Sequence, residues 1–192
     1  MDEHLTQDTF RKILEAMTFP GKLVQLEQSL IEVEPLYSQT VLLCHTLLDS
    51  EVTFAVVENT KISQSLHAYT GSHAVKMEEA DFVIIPQNDA ITVFSELNHV
   101  KIGDLRDPQK SATLFIEVDS LTDGKQFELS GPGIKNTTVI QSNLPSEFLE
   151  MRGMLNKEYP LGIDTLFIDS EGLVLALPRT TNVMEVKEEW AM

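Results

Sequence analysis

Apolar positions recur at helical spacing near the start of the chain. Phe10, Ile13, Leu14 and Met17 share one side of a 3.6-residue repeat, which predicts an amphipathic helix over 8–17. Asp8 or Thr6 can cap its start, and Phe19-Pro20-Gly21 stops it. A second helix is expected from Pro35 to Leu48. There Leu36, Val41, Leu42, Leu43, Cys44, Leu47 and Leu48 leave almost no polar side, the mark of a buried helix. Shorter apolar runs follow: Val52 to Val57 and Asp81 to Ile85 read as strands, with a helix from Lys61 to Tyr69 between them. Asn88 or Asp89 is expected to cap a further helix carrying Ile91, Phe94 and Leu97. Such alternation predicts a mixed α/β sheet with helices against it.

Beyond a polar loop over 103–110 the pattern becomes strand-rich. Ala112 to Val118 and Gln126 to Ser130 flank Asp123-Gly124, which predicts a hairpin. Gly131-Pro132-Gly133 is a tight connection, and Pro145 opens a helix carrying Phe148, Leu149 and Leu155. Near the end, Asp164 to Ile168 and Leu173 to Leu177 flank the turn Ser170-Glu171-Gly172 and read as a second hairpin. Pro178 cannot donate a ladder hydrogen bond, so the returning strand ends there and Arg179, Thr180 and Thr181 emerge on a loop. Residues 185–192 are expected to be a mobile acidic tail after a single domain over 1–184.

Several of these stretches form an ordered set. Pro160-Leu161-Gly162-Ile163-Asp164 precedes Leu177-Pro178-Arg179-Thr180-Thr181. Upstream stand Phe10-Arg11, Ala16-Met17 and Pro20-Gly21; Leu47-Leu48-Asp49; Gly103, Asp107-Pro108 and Ser111-Ala112-Thr113; and Leu129 to Ile134. Together they resemble the PhnH family, the H subunit of the bacterial carbon-phosphorus lyase system, and the resemblance spans roughly 10–183. It implies a three-layer α/β/α sandwich with a mixed sheet, similar to the large domain of pyridoxal-phosphate-dependent transferases but without the cofactor lysine. It also implies a homodimer, association with the G, I and J subunits, and a part in forming ribose 1-alkylphosphonate 5-triphosphate.

Composition narrows the alternatives. In 192 residues, 14 Lys and Arg stand against 30 Asp and Glu, a formal charge of −16, with no dense basic run. Nucleic acid, which requires a basic footprint, is therefore not an expected partner. No apolar tract is long enough to span a bilayer, and the first residues lack the basic start and apolar stretch of a secretory signal, so the expected location is the cytoplasm. Cys44 is the sole cysteine, which excludes an internal disulfide and a self-contained cysteine-ligated cluster. It is read as a small buried side chain.

The familiar catalytic motifs are absent: there is no phosphate loop, no Gly-x-Gly-x-x-Gly turn and no His-Glu-x-x-His helix. No catalytic residue, cofactor or metal is expected. Asp49 and Asp164 are read as turn or cap residues, and Arg11 as the partner of Glu15 in an exposed ion pair. Two places can hold an anion despite the global charge, because fields are screened beyond about 8 Å at physiological salt. One is the 99–110 loop, with Lys101, Arg106 and Lys110 beside Ser111. The other is Arg179 with Thr180 and Thr181, where a guanidinium can grip an oxyanion in bidentate fashion. The competing role for Arg179 is an ion pair with a carboxylate. Three functions remain open: a subunit of the lyase complex, an anion-binding module, and an independent transferase.

Overall fold

The computed structural model describes residues 3–57, 60–89, 94 and 96–186. Helix α1 (Glu3–Thr18) starts a turn earlier than its apolar spacing indicates, and strand β1 (Leu23–Gln25) follows it. Helix α2 (Ser38–Leu47) is shorter than expected at its start: Tyr37 is extended and forms its N-cap. Strand β2 (Thr53–Val56), helix α3 (Thr60–Thr70), strand β3 (His73–Ala74) and strand β4 (Phe82–Ile85) complete the first half. Most of the helix expected after Asn88 lies outside the described residues. Of its flanks, Gln87–Asp89 and Glu96–His99 are short 3-10 turns.

The second half contains β5 (Thr113–Val118), β6 (Lys125–Ser130), β7 (Thr138–Ser142), α4 (Ser146–Leu155), β8 (Asp164–Asp169), β9 (Leu173–Leu177) and β10 (Asn182–Glu185). Two sheets result. The larger runs β1-β9-β8-β5-β4-β2-β3, and the smaller runs β10-β6-β7. In the larger sheet β3, β2, β4, β5 and β8 are parallel, while β8–β9 and β9–β1 are antiparallel. The terminal hairpin is the β8–β9 pair, with Thr165 opposite Leu177 and Ile168 opposite Val174.

The hairpin expected across Asp123-Gly124 does not form. β5 pairs with β4 and β8 in the large sheet, whereas β6 pairs with β7 and β10 in the small one. The segment between them crosses from one sheet to the other. Glu185, the first residue assigned to the tail, belongs to β10 opposite Phe127 and pairs with Lys125 at 2.9 Å.

Burial on both sides explains the near-continuous apolar strands of the large sheet. Side chains alternate along each strand. Phe54, Ile84, Phe115, Leu166 and Ile168 pack with Ile13, Leu43, Cys44 and Leu66 of the three early helices. Val83, Ile85, Leu114, Ile116 and Phe167 face the other way, onto Phe94, Phe127, Leu129, Phe148 and Met151. The second face is thus covered by the small sheet together with α4, so the layer that the sandwich expectation assigned to helices is part strand. Full burial of each Phe contributes roughly 1.5–3 kcal/mol. Cys44 is wholly buried as expected, and burial pushes its thiol well up. No helix among the described residues is long and apolar enough to cross a membrane.

Candidate functional site

The register of the parallel strands defines two edges. Thr113 pairs with Asp164 at the amino ends of β5 and β8, and Val118 pairs with Asp169 at their carboxyl ends. Arg179 follows β9, which runs back to the amino edge. There it donates from every guanidinium nitrogen: Nη2 to Asp164 Oδ2 at 2.6 Å and Ser111 Oγ at 2.5 Å, and Nε to Asp164 Oδ2 at 3.2 Å. Nη1 donates to the carbonyls of Pro108 at 2.9 Å and Pro160 at 3.3 Å. Even its main-chain N–H donates to Asp164, at 2.7 Å. The carboxylate pairing that competed with anion binding is therefore the arrangement present. It ties the 108–111 turn, the 160–164 strand entry and the C-terminal loop into one knot.

The other cations of the 99–110 loop do not pool. Lys101 pairs with Asp81, and Lys110 with Asp107 at 2.7 Å. Asp104 accepts the main-chain N–H groups of Arg106 and Asp107, while the Arg106 residue is exposed. Burial raises the Asp81 carboxyl, but hydrogen bonds from Lys101 and Thr53 outweigh it and hold the pKa below the usual range. Asp49 accepts the Glu51 N–H in a turn. Glu15 pairs with Lys22 at 2.5 Å rather than with Arg11, because the chain returns beside α1 after Gly21.

The Gly131-Pro132-Gly133 connection joins β6 to β7 and makes two close approaches. Gly131 has φ +135°, and a Cβ there would lie 2.6 Å from the Thr180 carbonyl oxygen. Gly133 has φ +84°, and its Cβ would lie 2.2 Å from the carbonyl oxygen of Thr18, at the end of α1. Both positions demand glycine on conformation and on space. The 108–111 turn, the 160–164 strand entry and Gly131 thus meet at Arg179-Thr180, while Gly133 meets the end of α1.

Sequence reasoning missed three buried charges among the described residues, Arg152, Glu117 and Asp169, the last accepting the N–H groups of Leu121, Glu171 and Leu173. Arg152 of α4 is 3 % exposed. Its Nη1 donates to the Thr181 carbonyl at 3.0 Å, and its Nη2 to the carbonyls of Leu177 at 3.2 Å and Pro178 at 2.5 Å. Its buried Nε has no partner among the described residues, and neither does the buried Thr181 hydroxyl. Burial lowers the guanidinium pKa to about 10, so it is still charged at neutral pH. Between α4 and the β10 segment lies a cleft of about 440 Å³ lined by Ser130, Arg152, Lys157, Arg179, Thr181 and Asn182 among others, with no carboxylate among the described residues.

Glu117, at the carboxyl edge, is the second buried charge. It accepts the N–H groups of Tyr37 at 2.6 Å and Gln87 at 3.2 Å, and burial raises its pKa. Beside it opens a smaller, acidic crevice of about 300 Å³ that includes Asp119 and Glu147. The signal for both residues was a charge set within an apolar pattern, Arg152 on the Phe148–Leu155 side of α4 and Glu117 between Leu114-Phe115-Ile116 and Val118.

A family profile described as bacterial phosphonate metabolism protein (PhnH) matches residues 2–184. The chain belongs to the PhnH family. Among its relatives is a protein named C-P lyase subunit protein HtxG from Stutzerimonas stutzeri, 29% identical over 92% of this chain and 85% of the relative. Another is the alpha-D-ribose 1-methylphosphonate 5-triphosphate synthase subunit PhnH of Rhizobium meliloti (strain 1021), 28% identical over 92% of this chain and 89% of that protein. The resemblance carried by the ordered motifs is thus a family membership, and the relatives are subunits of phosphonate-processing systems.

Proposed function

We propose that this chain is an accessory subunit of a carbon-phosphorus lyase core complex in organophosphonate catabolism. It acts with G, I and J subunits in the cytoplasm and supports formation of ribose 1-alkylphosphonate 5-triphosphate. The observation that carries this reading is the family match over nearly the whole chain, together with relatives named as subunits of that chemistry. The internal geometry favours the same reading. Arg179, Asp164 and Ser111 at one sheet edge, and Glu117 at the other, are turned onto the protein's own backbone and side chains. Such groups fix the shape of loops, which suits a protein that works through its surfaces.

The same reading takes residues 1–184 as one domain, homodimeric when isolated. Its sheet follows the large domain of pyridoxal-phosphate-dependent transferases, so that fold and chemistry are uncoupled. The test is co-purification of tagged protein from cells expressing candidate G, I and J subunits, with mass determination and a phosphonate turnover assay with and without this chain. A stoichiometric complex whose turnover fails without the chain is the expected result. Isolated protein that stays alone and turns over a phosphonate unaided would overturn it.

A further inference from the structure

The small sheet β10-β6-β7 ends in two edges that differ in kind. β10 carries Glu185, which pairs with Lys125 and accepts a hydrogen bond from Ser146 at the start of α4. β7 has no such device. Its residues Thr138, Val139, Ile140, Gln141 and Ser142 include no charge and no proline, and the uncharged run extends from Asn136 to Ser146, between Lys135 and Glu147. Edge strands are ordinarily blunted by lysines, prolines, bulges or short length, because their free main-chain groups are a template for another strand. The edges of the large sheet follow that rule, β1 having three residues and β3 two. β7 is thus the long unguarded edge among the described residues. Alternate N–H and C=O groups along it point away from β6, to a side where no strand of the described residues lies. Ile140 packs against the core while Val139 beside it is 55% exposed.

We propose that β7 pairs antiparallel with β7 of a second copy of this chain, joining the two three-stranded sheets into one across a two-fold axis. The inference rests on the homodimeric reading above and gives it a face. A strand set antiparallel to its own copy is self-complementary, as a two-fold contact requires. Electrostatics selects the place. Each copy has a formal charge of −16, so two copies repel wherever their carboxylates meet. Across β7 they do not meet, because the nearest acidic residue of the sheet is Glu128, one strand further in and opposite Val139. The two β6 strands flanking a β7 pair stand three strand spacings apart, about 14 Å. That exceeds the screening length of about 8 Å at physiological salt. A basic partner would be held by carboxylates, which this edge lacks, whereas an acidic copy needs their absence.

The test is sedimentation equilibrium of the full-length protein over a range of concentrations. Pairing along one short strand makes a small interface, so a dimer with Kd on the order of micromolar is expected, tightened by salt as repulsion between the copies is screened. Amide hydrogen exchange over 138–142 should slow as the dimer fills. Val139→Lys sets a charge on the edge and should weaken the dimer at least about tenfold, whereas Met184→Lys on β10 should leave it unchanged. Both side chains are exposed, so each variant is expected to keep native circular dichroism, which is checked first. A dimer that survives Val139→Lys, or exchange over 138–142 that is indifferent to concentration, would overturn this face and leave the homodimeric reading standing. A protein monomeric at every concentration would overturn both. Neither result bears on co-purification with other subunits.

Discussion

Replacing Arg179 with alanine removes a knot that joins three separated segments. The variant loses three side-chain hydrogen bonds to the Asp164 carboxylate, one to Ser111 and two to carbonyls. Taking one partner from a fully buried pair costs about 3–5 kcal/mol. The Arg179 and Asp164 side chains are 17% and 18% exposed, so solvent screening moves the figure down to about 2–4 kcal/mol. Alanine leaves the main-chain N–H of residue 179 free to hold Asp164, which is why the carboxylate is not wholly abandoned. For a chain of this size each kcal/mol shifts Tm by about 2–4 °C, so Arg179→Ala should melt roughly 6–12 °C lower if the loss is about 3 kcal/mol. Urea unfolding of Arg179→Ala, Asp164→Asn and the double variant measures the coupling directly. The pair should interact by at least ~1 kcal/mol. A loss below ~0.5 kcal/mol in Arg179→Ala, or additivity within ~0.3–0.5 kcal/mol, would refute the clamp and return Arg179 to the status of a free cation.

Glu117 should leave a pH signature. Its pKa is raised in the fold by burial, so between the ordinary carboxylate value of about 4.3 and the raised one the native state holds a proton that the unfolded state has lost. Stability from this group is therefore greatest below the ordinary value and declines as pH rises through the raised one. The stability difference between wild type and the non-titrating Glu117→Gln, followed by urea unfolding from acid to neutral pH, should move against wild type with rising pH. The opposite slope would mean that the hydrogen bonds from Tyr37 and Gln87 outweigh burial. Two glycines should respond in opposite directions. Gly133→Ala meets the Thr18 carbonyl at positive φ and should lose about 2 kcal/mol or more, whereas a Cβ at Gly153, exposed on α4, meets nothing within 4 Å and should gain about 0.5–1 kcal/mol. Thermal melts of the two variants decide it, and equal shifts would contradict the packing at the Gly131–Gly133 connection.

Elements with a strong local signature were legible. The 3.6-residue spacing marked α1, the all-round apolar run marked α2, and Gly172 after Ser170-Glu171 marked the β8–β9 turn. The ordered motifs identified the family before any geometry was known. Strands β1, β3, β7 and β10 left little trace, because they are short and occupy sheet edges. β3 and β10 hold no buried side chain, and β1 and β10 find their partners far along the chain. Arg179 illustrates the same limit at the site. Its emergence after Pro178 follows from the chain itself, whereas its pairing with Ser111 and Asp164 depends on contacts across 68 and 15 residues.

The misread β5–β6 hairpin shows where local turn chemistry loses to burial. Asp123-Gly124 between two apolar runs is a hairpin signal, yet the runs differ in period. Leu114-Phe115-Ile116 is apolar without interruption and buried on both sides, the pattern of a strand inside a covered parallel sheet. In β6, Phe127 and Leu129 are buried while Gln126 is exposed and Glu128 half-buried, the alternation of a sheet with one wet face. Two strands with such different surroundings cannot easily be neighbours, since pairing would put one wet face into the core or one apolar face into water. The same reasoning locates two of the buried charges. Glu117 interrupts a doubly buried run and so had to meet donors, which it finds in the Tyr37 and Gln87 amides. Arg152 interrupts the apolar side of α4 and had to meet acceptors, but it finds only carbonyls and leaves a donor over. Glu117 meets two amides, and Arg152 meets carbonyls with the Asp164 carboxylate near enough to favour its charge, so each buried charge is held by contacts that its own fold supplies.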